Sequence, residues 1–277
     1  MKKSDESTLA NKLSVIFQIL TRSIFRPKLM RNLIEERNQT KDENKWKKHL
    51  YKYDFDSIEE FFLKKFPDVN ITEYEKEIIQ LEKQVDVFFE GLKDKKYPSP
   101  DKPYPIDYSI NPNTRRFLYI LCRILKPKNI IETGVAYGLS SLYILKALDS
   151  NNSGMLYSID SVFRPWQNEN MIGKIIPDNL KNKWKLNLGK SSEKLYEIFN
   201  QINDIDIFIH DSLHTYKNMI FEFECAEKNL KNNGIIISDD DLGNDAFYNF
   251  SNEKKLKSYL INVKNDSGLG IITKNLF

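Results

Sequence analysis

The residues of this sequence whose types and spacing suit chemistry fall in a few short stretches. The first is Glu132-Thr-Gly134-Val-Ala-Tyr-Gly138-Leu-Ser140-Ser141. Here Gly134 permits a tight turn and Gly138 lets a ligand approach the backbone. Ser140 and Ser141 open a helix whose free N–H groups favour an anion such as a carboxylate. Asp160 stands alone at the end of MLYSID; it is placed to accept hydrogen bonds from a ribose diol, although in isolation it reads more simply as a helix or turn cap. Two familiar cradles fail on spacing. The turn is G-x-x-x-G with Ala136 at the middle glycine position of a dinucleotide fingerprint, which disfavours NAD. Gly189-Lys190-Ser191 resembles the end of a phosphate-binding P-loop, but that loop's first glycine would stand at Trp184. A nucleotide-like ligand held by neither motif is implied.

The acidic and imidazole groups come next. His210-Asp211-Ser-Leu-His214 follows IDIFIH's strand-like run, and Asp239-Asp240-Asp241 follows GIIIS. Adjacent parallel strands bring Asp211, Asp239 and Asp240 to one sheet edge, where gathered carboxylates repel unless a cation lies among them. Oxygen ligands with no cysteine nearby point to Mg²⁺ or a similar hard divalent ion. His214, three residues past Asp211, faces the same cleft as a general base; a lone histidine otherwise reads as structural.

These residues need a scaffold that aligns strand ends. Helix-like 113–125 precedes an apolar run 128–133, and the alternation continues with helix 139–149, strand 155–160, strand 184–188, helix 191–202, strand 205–210, helix 215–231 and strand 234–238. Repeated strand–helix–strand units predict a mainly parallel sheet covered by helices on both faces. SYLINV and GLGIITK, joined by KNDS with no helix between, read as a closing hairpin that adds an antiparallel strand. In such sheets ligands bind at the carboxyl ends of the strands, where the stretches above fall. The loop 162–179, with Arg164 and Trp166, is placed to cover the site, or Trp166 simply packs on the sheet.

Upstream, Leu9, Leu13, Ile16, Phe17, Leu20 and Ile24 recur at helical spacing until Pro27 interrupts them. With Lys12, Arg22, Arg26, Lys28 and Arg31 nearby, this helix suits either packing on its own domain or peripheral contact with an anionic membrane. Ser57 with Glu60, and Thr72 with Glu75, read as capping boxes. Tyr74, Ile78, Leu81, Val85, Phe88 and Leu92 form a heptad seam that needs a partner, either this chain or a second copy in a homodimer. Pro98, Pro100, Pro103, Pro105 and Pro112, half of the ten prolines, mark a semi-rigid connector. The division expected is a helical extension with connector over 1–105 and a main domain over 106–277.

Composition excludes several classes. A chain of 277 residues, 40% hydrophobic and 12% aromatic, builds a core and is not disordered along most of its length. Residues 1–48 carry twelve Lys and Arg against six Asp and Glu, whereas the remainder carries 30 against 33. That basic excess is too small and too interrupted for nucleic-acid binding. Cys122 and Cys225 sit alone in apolar helix-like surroundings, so neither a disulfide framework nor a zinc site is expected. LSVIFQIL is too short to span a membrane and is preceded by acids where a secretory signal is cationic, which makes the cytoplasm the expected address.

Taken in order, ETGVAYGLSS, LYSID, LGKSSEKL, IHDSLHTY and GIIISDDD resemble the class I S-adenosylmethionine-dependent methyltransferases, in particular methyltransferase family 24. The resemblance covers roughly 106–275. It implies a Rossmann-like, mainly parallel seven-stranded sheet with an antiparallel last strand. It also implies that Glu132, Gly134 and Gly138 border the methionine part of the cofactor, that Asp160 takes the ribose hydroxyls, and that Ser191 lies near the adenine. The acidic spacing is similar to metal-dependent O-methyltransferases, so Asp211, Asp239 and Asp240 match the Mg²⁺ ligands and His214 the base. In the catechol enzyme that base is Lys and the last ligand Asn; the sugar-modifying enzymes are closer. The function so implied is metal-assisted O-methylation of a hydroxylated small molecule or sugar. A metal-free methyltransferase and a non-catalytic cofactor-binding scaffold are the alternatives.

Overall fold

Alternate residues of the inner strands face opposite sides of one sheet, and this period of two divides the core into two layers. Ile130, Ile207, Ile209, Ile235 and Ile237 pack in one cluster; Ile131, Phe208 and Ile236 pack in the other. The structure, a computed structural model, describes residues 13, 16–19, 21, 26–46, 54–106, 109–202, 204–239, 243–264 and 267–276. The strands are β1 (Phe55–Asp56), β2 (Asn129–Thr133), β3 (Met155–Asp160), β4 (Trp184–Leu188), β5 (Ile205–His210), β6 (Leu230–Asp239), β7 (Lys257–Lys264) and β8 (Ser267–Thr273). The helices are α1 (Pro27–Asp42), α2 (Ile58–Lys65), α3 (Glu75–Glu90), α4 (Pro112–Leu125), α5 (Leu139–Ser150), α6 (Ser191–Phe199), α7 (Tyr216–Asn229) and α8 (Ala246–Glu253).

The sheet runs β1-β7-β8-β6-β5-β2-β3-β4 and is Rossmann-like. β6, β5, β2, β3 and β4 are mutually parallel, and β8 runs antiparallel to both β6 and β7, as the hairpin reading requires. The strand beyond the seven expected is β1, whose two residues pair with Leu260 and Ile261 at the edge. Two residues are too few to show a sequence period. Register aligns Thr133 with His210 and His210 with Ser238, so the segments leaving β2, β5 and β6 start side by side.

Local chemistry fixes several helix ends. Ser57 and Glu60 form a complete capping box at α2. The box expected at Thr72 does not form: Asn70 accepts from the Thr72 N–H, a single 3₁₀ turn intervenes, and α3 begins at Glu75. Ile78, Leu81 and Val85 of the seam are buried in the cluster that holds Phe117, Leu118 and Leu121 of α4. Beside them Arg115 donates twice to Glu82, at 3.2 and 2.6 Å, and Arg116 reaches Glu75 and Glu59. The seam is therefore used within the chain. Residues 55–90 share the core of the sheet rather than standing apart from it. Both cysteines are buried free thiols. The helix expected over 9–24 falls mostly outside the described residues, and no described helix is long and apolar enough to cross a membrane.

Candidate active site

The carboxyl ends of β2 to β5 open into a cavity of about 590 Å³, within the size range of cofactor sites. Its floor is the turn after β2. Gly134 holds φ +86°, its N–H donates to Ile159, and an added Cβ would stand 1.8 Å from the Asp211 carbonyl oxygen. The turn is thus pressed against the segment leaving β5, and only glycine fits there.

Asp160 serves this turn directly. Its Oδ2 accepts from the N–H groups of Val135 (2.9 Å) and Ala136 (2.7 Å), and its Oδ1 from that of Ser161 (2.5 Å). The carboxylate therefore caps the turn as well as lining the cavity. Burial raises its pKa, the three backbone bonds oppose that rise, and the charge of Asp211 adds to it.

Gly138 differs from expectation. It also holds a positive φ, +90°, but a Cβ there would meet the Gly173 Cα at 2.8 Å and the Ile176 side chain. The close approach shown there is by the chain's own backbone at Gly173. Glu132 is wholly buried and does not itself line the cavity. It accepts from the hydroxyls of Ser140, Ser141 (2.6 Å) and Ser158 (2.9 Å), and burial pushes its pKa up to about 7 against those bonds. Ser140 lines the cavity while Ser141 lies behind it, so both hydroxyls are turned inward onto Glu132. Ser191, the first residue of α6, lines the cavity with its Oγ 3.5 Å from Asn218 Oδ1.

On the far side, ligand-capable atoms of Asp211, His214 and Asp239 lie within 4.8 Å of one another, each side chain partly exposed. His214 Nε2 is 3.5 Å from Asp211 Oδ1, and the Asp211 N–H donates to Thr133. Asp240 and Asp241 lie outside the described residues. Behind this group sits a pair that the sequence reading missed. His210, fully buried, places Nδ1 2.7 Å from Glu222 Oε2 and meets the His214 ring edge to face at 5.1 Å. Thr133, Ser212 and Asn218 also donate to Glu222. Burial works to raise the Glu222 carboxyl, but His210 and the hydrogen bonds prevail and hold it below the usual range. The available signal was a lone acid between Phe221 and Phe223, four residues after Asn218.

The roof is α1, likewise missed. Arg164 donates to Glu36 at 2.7 and 2.6 Å, and Lys190 pairs with Glu35 at 2.5 Å. Gln39 accepts from Thr215 at 2.7 Å, and Glu43, just past the helix, accepts from the Tyr216 N–H at 2.8 Å. Trp46 then stacks on Tyr216 with ring centroids 4.3 Å apart. Of the loop after β3, Phe163, Arg164 and Gln167 line the cavity, whereas Trp166 is buried with its indole N–H donating to Pro103. The proline-rich connector contributes Tyr104 to the wall, held by the hydroxyl of Tyr137 bonding both its N–H and its C=O.

Comparison with known proteins agrees with this architecture. Residues 131–240 match the family described as "Methyltransferase domain". No curated protein matches the chain. Among solved structures, an O-methyltransferase from Bacillus cereus in complex with SAH is similar at 19% identity and TM-score 0.52, over 69% of this chain and 88% of that one. An O-methyltransferase from Streptomyces achromogenes involved in tomaymycin synthesis, in complex with SAM, gives 17% and 0.51 over 68% and 95%. A methyltransferase from Geobacter sulfurreducens gives 21% and 0.51 over 68% and 86%.

Proposed function

We propose that this chain, whose residues 131–240 match the methyltransferase-domain family, moves a methyl group from S-adenosylmethionine to an oxygen of a hydroxylated small molecule or sugar, assisted by a divalent cation. The observation that carries this reading is the convergence of Asp211, His214 and Asp239 within 4.8 Å, with Asp211 and His214 lining the same cavity as the Gly134 turn. The cavity has two chemically distinct halves. Asp160 ends β3 and Ser191 follows β4, and these would hold the nucleoside; Asp211 and His214 follow β5. The structures from Bacillus cereus and Streptomyces achromogenes, which hold SAH and SAM on this fold, support the choice of cofactor.

Bound S-adenosylmethionine supplies a methyl group on a sulfonium, open to in-line displacement, and a divalent cation orients an acceptor oxygen and favours its ionisation. Asp211 and Asp239 would hold that cation, and Asp240, the next residue in the sequence, is proposed as the further ligand. Two carboxylates and an imidazole this close fit a cation, since without compensating charge the carboxylates repel. His214 Nε2 accepts the acceptor's proton, and Asp211 at 3.5 Å favours the imidazolium that results. The roof of α1, through Asn32, Glu35, Glu36 and Gln39, would shield the cavity from water and so keep the methyl group for the acceptor.

The test is transfer of labelled methyl from S-adenosylmethionine to a set of polyols, sugars and phenols. Chelation is expected to lower turnover at least about 100-fold, with Mg²⁺ or Mn²⁺ restoring it. Turnover that persists in chelator removes the cation and leaves His214 to act alone.

A further inference from the structure

Helix α1 lies outside the matched segment 131–240, yet it crosses the whole carboxyl edge of the site. Glu35 and Glu36 pair with Lys190 and Arg164, which follow β4 and β3; Gln39 meets Thr215, which follows β5. At 1.5 Å per residue α1 is about 24 Å long, and five strands about 4.8 Å apart span roughly 19 Å, so one helix covers both halves.

The stripe that α1 turns toward the cavity is polar: Asn32, Glu36 and Gln39, spaced four and three residues apart so that they share one helix face. Glu36 and Gln39 have partners within the chain. Asn32 is 8% exposed, lines the cavity, and its Oδ1 has no hydrogen-bond partner among the described residues. A buried amide oxygen so left is destabilising, and a donor on a ligand in the cavity would satisfy it. Two other buried oxygens of the cavity wall are in the same condition. They are Ser161 Oγ, next to Asp160, and Tyr104 Oη, close enough to Asp160 to feel its charge.

Asn32 stands one turn from Glu36, on the side away from Gln39 and hence over the β3–β4 half. A carboxamide presents an acceptor and a donor side by side. The adenine edge presents the complement, the N6 amino group beside the N7 acceptor, and this pairing is the one by which Asn reads adenine in nucleic acids. We infer that Asn32 reads the adenine of the cofactor from helix α1, an inference that rests on the proposed function.

The experiment is calorimetry of the full chain with S-adenosylhomocysteine and with its inosine counterpart, in which a carbonyl replaces the N6 amino group. The wild type is expected to favour the adenine compound by about 10-fold or more, the loss expected for one unmatched buried hydrogen bond. Asn32→Ala should weaken the adenine compound about 10-fold and erase most of the preference. Asn32→Asp, which keeps an acceptor oxygen, should retain that preference. Alanine is a stronger helix former than asparagine, so an unchanged denaturation midpoint is expected for Asn32→Ala. Equal losses for both compounds, or no loss for either, overturn the role of Asn32 alone. A wild type that binds neither compound overturns the cofactor reading with it.

Discussion

Gly134→Ala is expected to destabilise the protein by at least about 3 kcal/mol and to abolish cofactor binding. The new Cβ would lie 1.8 Å from the carbonyl oxygen and 2.5 Å from the carbonyl carbon of Asp211, and φ +86° is itself unfavourable for alanine. Both obstacles are backbone, so no rotamer change relieves them. Relief requires the turn to leave the end of β5, which breaks the amide contacts to Asp160 and displaces Asp211 together. Chemical denaturation reads the first effect and calorimetry the second. Gly91→Ala is the control: its Cβ would meet no atom nearer than 3.4 Å at an ordinary φ of −65°, so stability should hold within about 1 kcal/mol.

His214→Ala should leave the fold and cofactor affinity near wild type while lowering kcat by roughly 10²–10⁴-fold, the range for a lost general base. His214 is partly exposed at the rim of the cavity, so its removal opens no core cavity. Raising the pH, which ionises more of the acceptor without help, should recover part of the activity. A loss confined to KM, with kcat unchanged, would make His214 a binding residue and refute its role as base.

The sheet was readable because the inner strands bury both faces and appear as unbroken apolar runs, as in NIIET and IDIFIH. Residues just after such runs lie at strand ends, which is why Gly134, Asp160, Asp211 and His214 could be placed along one edge before any coordinates. Side-chain direction was not readable. Glu132 looks like its neighbours in the sequence, yet the pleat sends it away from the cavity toward three serines. Gly138 reads as a ligand approach, and only the fold brings Gly173 against it. Pro27, which interrupts the apolar pattern of the first segment, occupies the first turn of α1, a place where its missing N–H costs nothing. Glu36 and Gln39 carry no sequence signal of a site, because their partners Arg164 and Thr215 are over 120 residues away.

The most direct test of the central claim is calorimetric titration of the whole chain with S-adenosylhomocysteine, alongside NAD and ATP. The account predicts binding of S-adenosylhomocysteine at one site per chain and weak or no heat with the other two, because the G-x-x-x-G turn and Trp184 deny both of their cradles. Tight NAD binding with no response to S-adenosylhomocysteine would contradict it.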